Sequence, residues 1–262
     1  MNHLVIGDIH GCGRELAALV EMIEAAYRPE SSCLVLLGDL FTKGPAPELV
    51  VREIRRLRKQ GWRIELVCGN HEIRLLGAIG RLRGGVEARR LDRIERETIE
   101  RLVEHGCLEQ AFTLLLEATQ TIEYRAAGSH PGFTVVHAGF EPSLGLEATP
   151  DHIKMHIKAR KDERDWWERY DGSEGLVICG HKPVPEPVLV RSEDGAPCVL
   201  NLDTGCVLGG HLSCYDVESD LIFQVRSQQP IDAKRLEFAL SPTLVPTSMR
   251  SASDARARTS VG

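Results

Sequence analysis

Short apolar runs that each halt at a glycine followed by an oxygen or nitrogen ligand constrain this chain more than any other feature. Leu4-Val5-Ile6 halts at Gly7-Asp8, Cys33 to Leu37 halts at Gly38-Asp39, and Ile64 to Cys68 halts at Gly69-Asn70. Apolar runs of this length, bounded by glycine, predict β-strands. Helical patterns lie between them. Arg14 to Tyr27 places Leu16, Leu19, Val20 and Ile23 on one face; Glu48 to Lys59, after Pro45 and Pro47, turns Leu49, Val50, Ile54 and Leu57 inward. Strand–helix alternation predicts an α/β sheet, and in such sheets ligands bind in the crevice outside the carboxyl ends of the strands. Asp8, His10, Asp39, Asn70 and His71 are therefore expected at one edge. Later runs ending in His137-Ala138-Gly139 and Gly180-His181 add two imidazoles.

The alternation then breaks. From Arg74 to about Thr121 the pattern is mainly helical and heavily charged, so residues 74–130 read as a helical insert or cap. Its arginines are expected to form a solvated face of i,i+4 pairs; a role in holding substrate is the sharper alternative. Strand signals return at Phe133 to His137. Asp151 to Tyr170 reads as helical, with Trp166-Trp167 as packing or, less simply, a stacking platform for a nucleobase. Leu176 to Cys179, Pro187 to Val190, Cys198 to Leu202 and Leu221 to Val225 follow closely, with turns such as Ser192-Glu193-Asp194-Gly195. This spacing predicts hairpins and a more antiparallel second sheet. Residues 1–226 read as one domain and 227–262 as a C-terminal extension, whose tail from about 246 has no apolar periodicity and is expected to be disordered.

Composition removes several function classes. The net charge of -6 argues against generic nucleic-acid binding. No apolar run reaches membrane-spanning length and no signal-peptide pattern is present, so the expected location is the cytoplasm. The eight cysteines are scattered without a C-x-x-C pair, which favours buried thiols over disulfides or a zinc cluster.

Residues two apart along an extended segment point the same way, so Asp8 and His10 can grip one ion from one side. Oxygen and nitrogen ligands without thiolates suit Mn, Fe or Zn. Two such ions ~3.5–4 Å apart can clamp phosphoryl oxygens and activate a bridging water.

In order along the chain, G-D-I-H-G at 7–11, G-D-L-F-T-K-G-P at 38–45, G-N-H-E at 69–72, H-A-G at 137–139, G-H-K-P at 180–183 and N-L-D-T-G-C-V-L-G-G at 201–210 resemble the phosphoprotein phosphatase family of calcineurin-like metallophosphoesterases. The resemblance spans roughly residues 3–226. It implies a four-layer αββα sandwich of two mixed sheets flanked by helices, and two divalent ions, most simply Mn2+ with Fe, Zn, Ni or Co as alternatives. It places Asp8 and His10 on the first metal, Asp39 as the bridge, and Asn70, His137 and His181 on the second. His71 would be the general acid. Lys43, Asn70 and Arg160, with Arg164 as runner-up, would bind phosphate. Asp203 is expected to be structural, near the site floor, and His211 to lie at the surface or just outside the ligand set.

One departure bears on substrate. Protein phosphatases of this family usually read G-D-x-V-D-R-G at the second motif. Here Thr42 replaces the Asp that pairs with the catalytic His, and Lys43 replaces the Arg. Lys43 keeps the charge and loses the bidentate fork; His71 is expected to have a lowered pKa. The resemblance implies direct attack of a metal-bridging hydroxide on a phosphoprotein or other phosphomonoester. The alternatives are a symmetrical dinucleoside tetraphosphate hydrolase, whose relatives also lack this Asp, and a catalytically weak phosphate- or nucleotide-binding module. The chain is short of the long insertion that the symmetrical enzymes carry between the H-A-G and G-H motifs.

Overall fold

The computed structural model describes residues 1–124, 132–157, 165–192, 195–232, 235 and 250–251. The first half is built from β1 (Asn2–Ile6), α1 (Gly13–Ala26), β2 (Ser32–Leu36), α2 (Pro47–Lys59), β3 (Arg63–Leu66) and α3 (Asn70–Arg83). Helices α4 (Arg93–Glu104) and α5 (Leu108–Glu117) follow, then β4 (Thr121–Tyr124) and β5 (Phe133–Val136). The second half carries the short helices α6 (Gly145–Ala148) and α7 (Asp151–Met155), then β6 (Leu176–Cys179), β7 (Val188–Arg191), β8 (Pro197–Asn201), β9 (His211–Asp216) and β10 (Leu221–Arg226). A two-residue β11 (Arg250–Ser251) lies beside β10.

Two mixed sheets result, ordered β11-β10-β9-β1-β2-β3 and β4-β5-β6-β8-β7. β1, β2 and β3 are parallel, as are β5, β6 and β8, while β9, β10, β4 and β7 join by antiparallel pairing. The period-2 pattern of each strand decides what it separates. Leu4 and Ile6 of β1 face a core shared with α1, α2 and α3, whereas Val5 faces the other sheet. Val35 and Val5 thus meet Val135, Ile178 and Leu200 between the sheets. On the far side, Val136, Val177 and Val199 pack under Phe140, Trp166 and Trp167. The order is helix, sheet, sheet, covering layer, the expected α/β sandwich.

Two stretches differ from their sequence pattern. Asp151 to Tyr170 is not one helix: α7 stops at Met155 and Trp166–Glu168 form a 3-10 turn. Trp166 is drawn against Gly139 and donates from Nε1 to the Ala138 carbonyl at 3.0 Å, which bends the chain onto the sheet. Thr121 starts a strand rather than ending a helix, because its neighbours pair with β5. All eight cysteines are buried and free. Among the described residues no helix is long and apolar enough to cross a membrane.

Candidate metal centre

The parallel strands β1, β2 and β3 deliver their following loops to one edge. Asp8 and His10 follow β1, Asp39 follows β2, and Asn70 opens α3 after β3. The turns are tightly tied: His10 N–H donates to the Asp39 carbonyl at 2.7 Å, and Gly44 N–H donates to the His10 carbonyl at 2.7 Å. His10, Asp39, Lys43 and His181 all adopt left-handed φ, at 47°, 49°, 74° and 68°. Non-glycine residues are uncommon there, and four of them gathered around one edge mark a tightly constrained set of turns. Gly180 must lack a side chain, since a Cβ there would collide with Asp8 Oδ1.

Donor atoms converge in two groups that share one residue. Asp8, His10 and Asp39 form one, Asp39, His137 and His181 the other, each with its donor atoms within 4.8 Å of one another. Asp39 is oriented for both. Its Oδ2 lies 3.3 Å from His10 Nε2 and its Oδ1 lies 3.5 Å from His137 Nε2. Oδ1 also accepts the His71 amide at 3.0 Å, at the electropositive start of α3. Asn70 Oδ1 is 3.3 Å from His137 Nε2, and His137 Nδ1 is held by the Leu37 carbonyl at 3.0 Å. The backbone N–H of His181 donates to Asp8 at 3.3 Å. The six residues expected as ligands therefore lie together. Arg160 and Arg164 fall outside the described residues.

The electrostatics fit a pair of cations. Burial and the neighbouring Asp203 and Asp39 carboxylates raise Asp8 well above its usual range. Burial raises Asp39 and Asp203 to about 6 each. Three buried carboxylates so placed need positive charge to ionise together. His10 and His137 are held neutral by burial, the form that ligates. With oxygen and nitrogen donors only, and two triads that share the Asp39 carboxylate, these residues suit divalent ions.

Glu72 was not singled out from the sequence, yet it organises the site. Its carboxylate accepts from the Asp39 amide at 2.6 Å, the Leu40 amide at 2.8 Å and the Gly69 amide at 2.9 Å. Burial and Asp39 push it to about 7 against those three donors. A glutamate three residues beyond the cap is a capping-box signal, legible in G-N-H-E. His156, without motif context, also reaches the site, its ring centroid 4.8 Å from that of His181. Arg74, one turn after His71, pairs through Nε with the buried Glu95 at 2.8 Å and depresses the His71 pKa. Asp203 is buried and its Oδ1 accepts the Gly205 amide at 3.0 Å. His211 is half-buried at the start of β9.

His71 is buried, and its Nδ1 has no hydrogen-bond partner among the described residues. Burial, then Lys43 and Arg74, lower it to about 3. The buried Thr42 hydroxyl lies 3.5 Å from His10 Nδ1, and Lys43 Nζ donates to His10 Nε2 at 2.7 Å. A cleft of about 440 Å³ opens beside the centre, lined by His10, Lys43, His181, Asp203 and residues of the following turn.

Comparison with known proteins agrees with this geometry. A family model described as calcineurin-like phosphoesterase matches residues 1–215. The chain is 27% identical over 257 residues to the asymmetrical bis(5'-nucleosyl)-tetraphosphatase PrpE of Bacillus subtilis, covering 90% of this chain and 98% of that one. It is 36% identical to a symmetrical bis(5'-nucleosyl)-tetraphosphatase of Erwinia tasmaniensis, but over 104 residues, 39% of this chain and 36% of that one. A crystal structure described as a candidate diadenosine tetraphosphatase superposes with a TM-score of 0.65 at 22% identity, covering 86% of this chain and 93% of that one. A yeast serine/threonine phosphatase superposes at 0.57 with 10% identity, covering 88% and 82%. Fold, converging donors and the matched family model lead to one conclusion: the chain belongs to the calcineurin-like phosphoesterases and is a metal-dependent phosphoesterase.

Proposed function

We propose that this chain hydrolyses dinucleoside tetraphosphates, cutting a phosphoanhydride bond asymmetrically. The observation that carries this reading is the buried Nδ1 of His71, which has no partner among the described residues. A serine alkoxide leaves poorly without a proton, so a phosphoprotein phosphatase needs a histidine kept protonated by a carboxylate. Thr42 offers none, and His71 is lowered to about 3. A phosphate leaving group departs as an already stable anion and asks much less of a general acid. Neutral His71 can still donate one ring N–H to the departing oxygen. The phosphomonoester or phosphoprotein substrate expected first from the motifs gains no comparable support.

Asp8, His10 and Asp39 would hold one ion, and Asp39, Asn70, His137 and His181 the other. When bound, such ions supply Lewis acidity toward phosphoryl oxygens and lower the pKa of water. Lys43 and Asn70 are placed to orient the phosphoryl group, the former as a point charge. The nearly full-length likeness to enzymes named asymmetrical favours that cut over the symmetrical one, whose named examples match a shorter stretch.

Product analysis with Mn2+-loaded protein tests the reading. Diadenosine tetraphosphate should give ATP and AMP. Two ADP would assign the symmetrical reaction. A higher kcat/KM on a phosphoserine peptide would overturn the substrate class. Metal binding with background turnover on every substrate would leave a binding module.

A further inference from the structure

The C-terminal extension is tied, in its first residues, over the turn that borders the cleft. Ser227 N–H donates to the Gly210 carbonyl at 2.8 Å and Asp232 N–H to the Leu208 carbonyl at 2.8 Å. Gln228 N–H donates to the buried carboxylate of Glu15 at 2.9 Å, and Gln229 Nε2 reaches the same oxygen at 3.3 Å. Gly209 admits this crossing because a Cβ there would strike the backbone of Ile231. Arg235 also lines the cleft, with its amide on the Asp232 carbonyl at 3.1 Å and its guanidinium 3.6 Å from the Asp232 carboxylate.

The cleft therefore has two chemistries. His10 and His181 of the metal centre line one part of it, and Pro183, Val207 and Leu208 give it an apolar wall. Arg235 is 71% exposed at its side chain and stands at the rim, while Lys43 reaches inward to His10 Nε2 at 2.7 Å. Its volume of about 440 Å³ lies within the ~300–1,000 Å³ common for small-ligand sites. An apolar wall suits a planar base, cations suit a phosphate chain, and both adjoin the candidate metal ligands.

We propose that this cleft is a nucleoside subsite: the base rests on Pro183, Val207 and Leu208, and Arg235 binds the phosphate next to the nucleoside. The proposal rests on the nucleotide reading above and adds a residue from outside the motif-bearing region. It makes Arg235 a specificity residue, acting on the nucleotide end and not on the reacting phosphorus.

The test is inhibition of aryl phosphate turnover by Mn2+-loaded full-length protein, with ADP and inorganic phosphate as separate inhibitors. Arg235→Glu and Leu208→Asp should each raise the ADP inhibition constant about tenfold, the scale of one lost charge-assisted or apolar contact, and leave that of phosphate within about twofold. Arg235 is exposed, so its variant tests the idea even if Leu208→Asp misfolds. An unmoved ADP constant in Arg235→Glu overturns the proposal, as does a parallel shift for phosphate, which would place the effect at the metal centre. Turnover of diadenosine tetraphosphate by the wild type is read separately. If it fails while the ADP constants move as expected, the substrate reading falls and the nucleoside subsite stands.

Discussion

The two sheets furnish one centre in different ways. The first sends Asp8, His10, Asp39, Asn70 and His71 from three consecutive parallel strands and fixes them through main-chain bonds and Glu72. The second sends His137 from β5 and His181 from β6. His137 is fully buried on the Leu37 carbonyl, while His181 is half-buried, in a left-handed turn, with its ring against His156. The first side is thus a preorganised cradle centred on Asp39, and the cleft beside it is shared, with His10 and Lys43 from the first side facing His181, Pro183 and Asp203 from the second. Substitutions in the cradle should cost chemistry and stability together, and those on the second side of the cleft should cost affinity or selectivity.

The sharpest break of that contrast is Asp39→Asn. Losing the shared charged carboxylate should lower turnover roughly a thousandfold or more at saturating Mn2+, with fewer than two metals per chain by elemental analysis. His181→Ala, which removes one donor from one group, should cost roughly a hundredfold. Equal losses would mean that Asp39 is not shared.

Glu72→Ala comes next. It leaves the amides of Asp39, Leu40 and Gly69 without their acceptor, and buried unsatisfied donors cost about 1–3 kcal/mol each before relaxation. A loss of about 3 kcal/mol in denaturant unfolding is expected, together with weaker metal binding. Unchanged stability would show that the cradle does not depend on this carboxylate.

Thr42→Asp asks whether one side chain sets substrate class. A carboxylate here should raise the His71 pKa and favour phosphomonoester over phosphoanhydride turnover by about tenfold, one pKa unit of interaction. No change in the ratio of the two kcat/KM values would remove the argument from His71.

The smallest effect concerns the metal-free protein. Asp39 and Asp203 have folded pKa values raised from 3.8 to about 6, so the folded state holds more protons than the unfolded one in that window. Their contribution is fully present below the unfolded value and is lost as pH rises through the folded value. Asp39 and Asp203 by themselves make metal-free stability fall between pH 4 and about 6, while His10, His71 and His137, whose pKa values burial lowers, make it rise over the same window. Replacing both carboxylates by Asn should therefore shift the metal-free melting temperature upward more at pH 6 than at pH 4, and Mn2+ should raise the wild-type value more at the upper end. A shift on that double replacement that does not grow from pH 4 to pH 6 would contradict the crowding of carboxylates.

The convergence of the candidate ligands was legible because most sit where an apolar run meets glycine, and the strand's end fixes their place. Glu72 was legible as well, through its capping-box spacing. β9, from His211 to Asp216, carries strand-like alternation of Leu212 and Cys214 with Ser213 and Tyr215, but it follows directly on the glycine-rich turn, and its polar side chains are satisfied close by, Ser213 on Thr204 and Tyr215 on Asp220. The stretch around Trp166 misled because its helical composition is outweighed by one tryptophan seated on Gly139.

Sequence by itself determined the alternation of strand and helix, the chemical type of the ligands and the loss of an acid at Thr42, since these depend on local pattern and residue identity. Tertiary structure decided which oxygen of Asp39 faces which imidazole, that His71 Nδ1 has no partner among the described residues, and that Arg235 reaches the cleft. Those are relations between side chains far apart in the chain, and only packing sets them.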